Sequence, residues 1–152
     1  MRVPPVTVRL ASASDQARVD EIMLAASMTN INDREWVLAN RDMVYVPSDQ
    51  IADGQVVVAT ESGVVTGFAV LVPLDSSSFE LDGLFVHPDQ MRRGVGRALV
   101  EHVCHVARCL GGMELLVTGN QAATDFFLKC GFFETGKAQT LGGPAVRLVR
   151  HL

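Results

Sequence analysis

The chain has no excess of positive charge: 13 Lys and Arg stand against 17 Asp and Glu, for a net charge of −4. A general nucleic-acid binder is normally basic, so no nucleic acid is expected as a partner. A long apolar run is also missing. The longest, Val64 to Leu74, carries Thr66, Gly67 and Pro73 and is too short to cross a bilayer. No apolar segment follows Met1-Arg2, because Pro4 and Pro5 interrupt at once. Neither a signal peptide nor a membrane partner is therefore expected, and the expected location is cytoplasmic. The three cysteines, Cys104, Cys109 and Cys130, show no Cys-x-x-Cys spacing and cannot all pair internally, so reduced structural thiols are expected. Neither the long dinucleotide fingerprint nor a Gly-Lys-Ser/Thr turn occurs, which argues against a generic nucleotide-binding domain. Linkers, internal repeats and low-complexity tracts are absent as well.

What remains is an ordinary α/β composition, with 48% hydrophobic and 20% charged residues over 152 positions. That length fits a single domain, residues 1–152, able to bury a proper core. Val6 to Leu10 reads as a first strand, with Ala11 to Asp15 a loop rich in helix-capping residues. Val19, Ile22, Met23 and Ala26 mark an amphipathic helix that Thr29 to Asp33 breaks. A second helix runs from about Arg34, through Trp36, Val37, Asn40 and Met43, and ends before Pro47. Gln55–Thr60 and Val64–Val72 are strands around the hairpin turn Glu61-Ser62-Gly63. A loop at Asp75 to Ser78 leads to a strand from Phe79 to Val86. Further on come a helix stopped by Gly111-Gly112, a strand at Met113 to Thr118 and a short helix at Ala122 to Cys130. Gly131 to Glu134 opens another strand, Lys137 to Gly143 is a loop, and Pro144 to His151 closes the sheet.

One stretch, Leu81 to Leu110, concentrates the chemistry. A strand ends at Val86 and His87-Pro88-Asp89 breaks it. After Arg92-Arg93-Gly94-Val95-Gly96, the residues Leu99, Val103, Val106 and Leu110 recur at helical spacing. A glycine-spaced turn opening a helix offers free backbone N–H groups at the positive end of the helix dipole, which suits a phosphate. Arg92, Arg93 and Arg97 add cations around the same turn, so the expected ligand is a diphosphate. On the same helix His102, His105 and Cys109 fall at i, i+3 and i+7. Such a stripe can offer metal ligands, but polar residues flanking an apolar seam explain it equally, and no metal is predicted.

This stretch resembles the coenzyme-A-binding motif of the GNAT superfamily of N-acetyltransferases. That motif is Gln/Arg-x-x-Gly-x-Gly/Ala after a strand ending in Leu-x-Val-x-Pro. Leu84-Phe85-Val86-His87-Pro88 and Gly94-Val95-Gly96 fit it, and Arg92 and Arg93 match the frequent basic pair. Met91 stands where the Gln or Arg would be, which removes a polar side chain but no backbone donor. The resemblance extends over nearly the whole chain and is strong from about Glu80 to Phe132. It implies the GNAT-type acyl-CoA N-acyltransferase fold, an α/β architecture with a central mixed sheet of about six to seven strands flanked by about four helices. It also implies acetyl-CoA as cosubstrate. Leu84, Phe85 and Val86 would hold the pantetheine arm through their backbone. Arg92, Arg93, Gly94, Val95, Gly96 and Arg97 would hold the diphosphate.

Asn120 to Phe132 is similar to the family's second motif, Asn-x-x-Ala-x-x-Phe-Tyr-x-Lys-x-Gly-Phe. Asn120 sits where a helix begins and is expected to cap it, besides the coenzyme contact the resemblance implies. Phe126 and Phe132 read as core, and Lys129 as a solvated cation near the coenzyme. Phe127, also among the coenzyme-binding positions that the resemblance implies, replaces the Tyr that family members often use to protonate the departing thiolate. The chain's only tyrosine, Tyr45, lies in the segment from Ala25 to Pro47, which varies within the family. That segment and the loop Lys137 to Gly143 usually frame the acceptor. Glu80 stands where many members have their catalytic Glu, and a carboxylate is apt for freeing an amine lone pair. Asp82, two residues on and on the same face of an ideal strand, is a second candidate or a site for a cationic acceptor.

The function expected is acetyl transfer from acetyl-CoA to a primary amine of a small molecule or peptide, by direct attack. The alternative is a non-catalytic acyl-CoA-binding sensor, which the missing Tyr favours and Glu80 opposes. A homodimer is left open.

Overall fold

A computed structural model describes residues 5–140 and 143–152, without the side chain of Asn32. The strands are β1 (Val6–Leu10), β2 (Val56–Glu61), β3 (Val64–Pro73), β4 (Ser78–Val86), β5 (Glu114–Asn120), β6 (Phe133–Thr140) and β7 (Gly143–His151). The α-helices are α1 (Gln16–Ser27), α2 (Ile31–Ala39), α3 (Ser48–Ala52), α4 (Val95–Cys109) and α5 (Thr124–Lys129). The strands form one mixed sheet in the order β1-β2-β3-β4-β5-β7-β6. This is the expected α/β architecture, with seven strands and one more short helix than the sequence implied.

The chain divides into two compact units, Met1–Val70 with Gly83–Leu99, and Leu71–Asp82 with Val100–Leu152. In the first, β2 is Val-Val-Val-Ala-Thr-Glu and buried at every position, as a strand covered on both faces must be. It pairs antiparallel with β1 and with β3, and a two-residue turn at Ser62 and Gly63, with φ of 51° and 80°, closes the β2–β3 hairpin. Val19 and Ile22 of α1 are fully buried, as the helical spacing predicts. Phe68 and Phe85 stack with ring centroids 5.3 Å apart.

Side-chain bonds fix the ends of α1. Arg9 donates to both carboxylate oxygens of Asp15 at 2.8 and 3.1 Å, and the Ser12 N–H donates to the same carboxylate at 2.8 Å. The segment that follows α2 is tied back by Asp20, which accepts the Val46 N–H at 2.8 Å, and by Gln16, which donates to the Val46 carbonyl at 2.7 Å.

In the second unit, β4 and β5 run parallel over Ser78–Glu80 and Glu114–Leu116 only, the ladder ending at Glu80↔Leu116. β5 pairs antiparallel with β7 along its whole length, and β7 with β6. α4 ends in a Schellman arrangement, with Gly112 N–H bonded to the Ala107 carbonyl at 2.8 Å. Leu115 and Leu148 anchor the core with Val103 and Cys104 of α4, all at most 1% exposed. Arg150 grips Glu101 at 2.8 and 3.2 Å and donates to the Cys130 carbonyl at 2.9 Å.

The helices and the last loop differ from the sequence reading. α2 is Ile31–Ala39 rather than a helix from about Arg34 to just before Pro47: it begins earlier, so the break is only Met28 to Asn30, and it stops at Ala39, ahead of a 3-10 turn at Arg41–Met43. α3 was not anticipated, because five residues after Pro47 show no period. The expected loop Lys137 to Gly143 is strand as far as Thr140, and Gly143 already belongs to β7. Residues 141 and 142 of that loop lie outside the described residues, as do 1–4, on which the leader reading rested.

Candidate active site

In the first unit, β4 leaves the sheet at Val86 with its last anchor just beyond, where the His87 N–H donates to the Thr66 carbonyl at 2.8 Å. A 3-10 turn, Pro88–Gln90, follows and is capped by His87 Nδ1, which accepts the Asp89 N–H at 3.2 Å. Arg92 and Gly94 then adopt φ of 65° and 82°. Left-handed residues on either side of Arg93 give successive backbone N–H groups the concave arrangement that binds anions. The Gly94 carbonyl takes the first helical bond, from Ala98 at 3.0 Å. The N–H groups of Val95, Gly96 and Arg97 are thus the orphan donors of the α4 N-terminus. Val95 is 1% exposed and pins the turn, whereas Arg92, Gly94 and Arg97 are exposed and a Cβ at Gly94 would meet nothing within 4 Å. Free donors, open space and cations together fit a diphosphate. Met91 is 48% exposed.

Arg93 behaves differently from its two neighbours. Its Nη1 donates to Gln90 Oε1 at 2.6 Å and lies 3.7 Å from Glu61 Oε2. The Glu61 side chain is only 6% exposed, and its Oε1 has no hydrogen-bond partner among the described residues. Sequence reasoning missed Glu61 and Gln90. A Glu before Ser-Gly reads as an ordinary turn residue, and nothing local couples it to a residue 32 positions on.

Leu84, Phe85 and Val86 end β4 in the first unit, each half-buried, whereas Glu80, Asp82, Asn120, Phe127 and Lys129 lie in the second. Glu80 is partly buried on β4, and Asp82 is exposed. Burial first, and then the charge and hydrogen bond of Asp82, push the Glu80 carboxyl above its ordinary value. Asn120 ends β5 and caps the 3-10 turn Gln121–Ala123, its Oδ1 accepting the Ala123 N–H at 2.9 Å. Phe127 is 4% exposed, edge-on to Phe126 and Phe132 at 5.2 and 5.3 Å, and packs against Gly119. Lys129, the last residue of α5, is exposed.

On α4, His105 Nε2 lies 3.6 Å from Cys109 Sγ, and burial pushes His102 below its ordinary value. Among the described residues no group of three or more His, Cys, Asp or Glu is placed to hold a metal. Cys104 and Cys130 are buried and Cys109 is exposed, with no disulfide among the described residues. Among the described residues no helix is long and apolar enough to cross a membrane.

The model of the acetyltransferase (GNAT) family matches residues 25–132, well over half of the chain. The chain belongs to that family and is an acetyl-CoA-dependent N-acetyltransferase acting on an amine. Among curated relatives it is similar to the L-amino acid N-acyltransferase MnaT of Escherichia coli (strain K12), 29% identical over 149 residues, 90% of this chain and 85% of that protein. Its structure is similar to the GCN5-related N-acetyltransferase of Rhodopseudomonas palustris, with a TM-score of 0.79 and 26% identity, covering 100% of this chain and 99% of that one. The PaiA N-acetyltransferase of Thermoplasma acidophilum in complex with coenzyme A shares the fold, with a TM-score of 0.83 at 16% identity over 97% of this chain and 99% of that one.

Proposed function

We propose that this acetyltransferase acylates the primary amine of a small molecule, with a free amino acid as the first acceptor to try. Similarity to a relative named for L-amino acids over 90% of the chain supports that acceptor class. The observation that carries the coenzyme site is the exposed, left-handed turn Arg92 to Gly94 at the start of α4. The diphosphate of acetyl-CoA sits on the N–H groups of Gly94 to Arg97, with Arg92 and Arg97 as counter-charges. β4 past Glu80 is beyond its ladder with β5, so backbone groups of Leu84, Phe85 and Val86 are available to an extended pantetheine arm. An N–H among them polarises the thioester carbonyl and stabilises the negative charge that builds there. Asn120 and Lys129 are the further coenzyme contacts that the family resemblance implies. The match of the family model to residues 25–132 supports a single acetyltransferase domain.

Glu80 takes the proton from the acceptor ammonium, freeing the lone pair that attacks the acetyl carbon. Its raised pKa supports this role, since it makes the carboxylate a stronger base toward the ammonium proton. Asp82 holds the ammonium as it approaches. As the C–S bond breaks, the thiolate departs and takes a proton from water or from the newly formed, still protonated amide nitrogen. Phe127 has no proton to give. The net charge of −4 with cations clustered at one turn supports one anionic ligand rather than nucleic acid.

Two measurements test this. Calorimetry should show coenzyme A binding to the parent and not to a folded Gly94→Asp variant, which puts bulk and negative charge in the diphosphate position. Equal binding would refute the coenzyme site. A turnover screen of amino acids, polyamines, aminoglycosides and short peptides should place an amino acid first. A polyamine or peptide in that place would replace the acceptor assignment.

A further inference from the structure

Glu61 is a charged side chain with almost no water and no good partner. It ends β2, and its carboxylate is 6% exposed. A buried carboxylate normally gathers hydrogen bonds or neutralises itself against a cation. Here one oxygen has none among the described residues, and the other has only Arg93 Nη1 at 3.7 Å, too long for a hydrogen bond. Such an arrangement is costly by itself, so its retention asks what it holds.

It holds the middle of the coenzyme turn. Arg93 stands between two left-handed residues, and one of them, Arg92 at φ 65°, is not a glycine. An L-residue in that region is strained and persists only when its surroundings fix it. The surroundings of Arg93 are the Gln90 amide oxygen at 2.6 Å and the Glu61 carboxylate. The second of these is on a different strand, one buried along its whole length. Arg93, with its side chain still 36% exposed, is thereby drawn toward the β2–β3 hairpin.

We propose that Glu61 is a positioning residue for the coenzyme. Through Arg93 it holds the turn in the shape that presents its N–H groups to a diphosphate, and it keeps that shape before the ligand arrives. This rests on the reading that Gly94 to Arg97 hold the diphosphate. The role is binding, not chemistry: Glu61 touches neither thioester nor amine.

The test is Glu61→Gln, which keeps the shape and removes the charge, with coenzyme A as the calorimetric probe. Loss of one charge-assisted contact should weaken coenzyme A binding roughly tenfold and raise the KM for acetyl-CoA by the same factor. The kcat should stay within about twofold, and the melting temperature should hold or rise, because a buried charge has gone. In an Arg93→Gln background, Glu61→Gln should change affinity by less than about twofold, since the pair acts as a unit. Should Glu61→Gln fold poorly, Glu61→Asp withdraws the carboxylate by one methylene and should weaken binding likewise. Parental affinity in the folded variant, an undiminished loss in the Arg93→Gln background, or a fall in kcat and melting temperature at constant KM would each overturn the proposal. Gly94→Asp, measured alongside, separates the causes. If it abolishes binding while Glu61→Gln leaves it intact, only the positioning role fails; if it too binds normally, the coenzyme site itself is wrong.

Discussion

Glu80 and Asp82 stand two residues apart on one face of β4, where the Asp82 carboxyl acts on that of Glu80. Burial first, and then the neighbouring Asp82 carboxyl, push the Glu80 pKa above its ordinary value. The base is active only when deprotonated, so kcat/KM should fall on the acid side at a pH above the ordinary glutamate value. Asp82→Asn removes a neighbouring negative charge and should move that limb to lower pH. A limb that stays in place would show that Asp82 does not tune Glu80.

Glu80→Gln should lower turnover by about 10²–10⁴-fold with coenzyme affinity near normal. Unchanged turnover between pH 6 and 9 would exclude Glu80 as the base and leave Asp82, a water chain or an already neutral amine.

Phe127→Tyr should change single-turnover acetyl transfer only modestly. A thiol has an ordinary pKa of about 8.5, so the thiolate is a tolerable leaving group without an immediate proton donor. The buried ring also packs among Phe126, Phe132 and Gly119. A silent parent beside an active Tyr variant would mean that the natural chain lacks the chemistry.

Gly67 lies where β3 passes under the start of α4. A Cβ there would come within 2.9 Å of the Phe85 carbonyl oxygen and within 3.0 and 3.2 Å of Val95 and Leu99 side-chain carbons. The oxygen is backbone of β4 and cannot yield cheaply. Gly67→Ala should cost about 1–3 kcal/mol of stability and raise the KM for acetyl-CoA. Thermal melts and steady-state kinetics check both, and a parental KM would show that the strand tolerates the shift.

The Arg9 ion pair holds Asp15 at about 2, against an ordinary 3.8, with the Ser12 N–H assisting. A depressed acid pKa stabilises the fold above the ordinary value, and that stability is lost as pH falls from about 4 toward 2. Asp15→Asn should be about 1–2 kcal/mol less stable than the parent near neutrality, a modest figure because Arg9 is half exposed. The difference should vanish by about pH 2. Melting curves across that range decide it, and a constant gap would place the effect in packing.

By itself the sequence determined the elements whose signals are local. β1 runs from Val6 to Leu10 as read, the Ser62-Gly63 turn closes its hairpin, and Gly111-Gly112 stops α4. The glycine-spaced turn that opens α4 among arginines was legible too, because Gly94 and the cations around it lie within a few residues. Asn120 as a cap was legible for the same reason. Tertiary structure alone decided the rest. The residues from Lys137 to Thr140 are polar on an edge strand and become β only by pairing with β7. α3 is too short to show a period. Glu61 and Arg93 meet across 32 positions, and only the fold can place a buried carboxylate beside an arginine of a distant turn. Backbone preference is written where it acts, whereas the partner of a buried charge depends on which strand end lies beneath which loop.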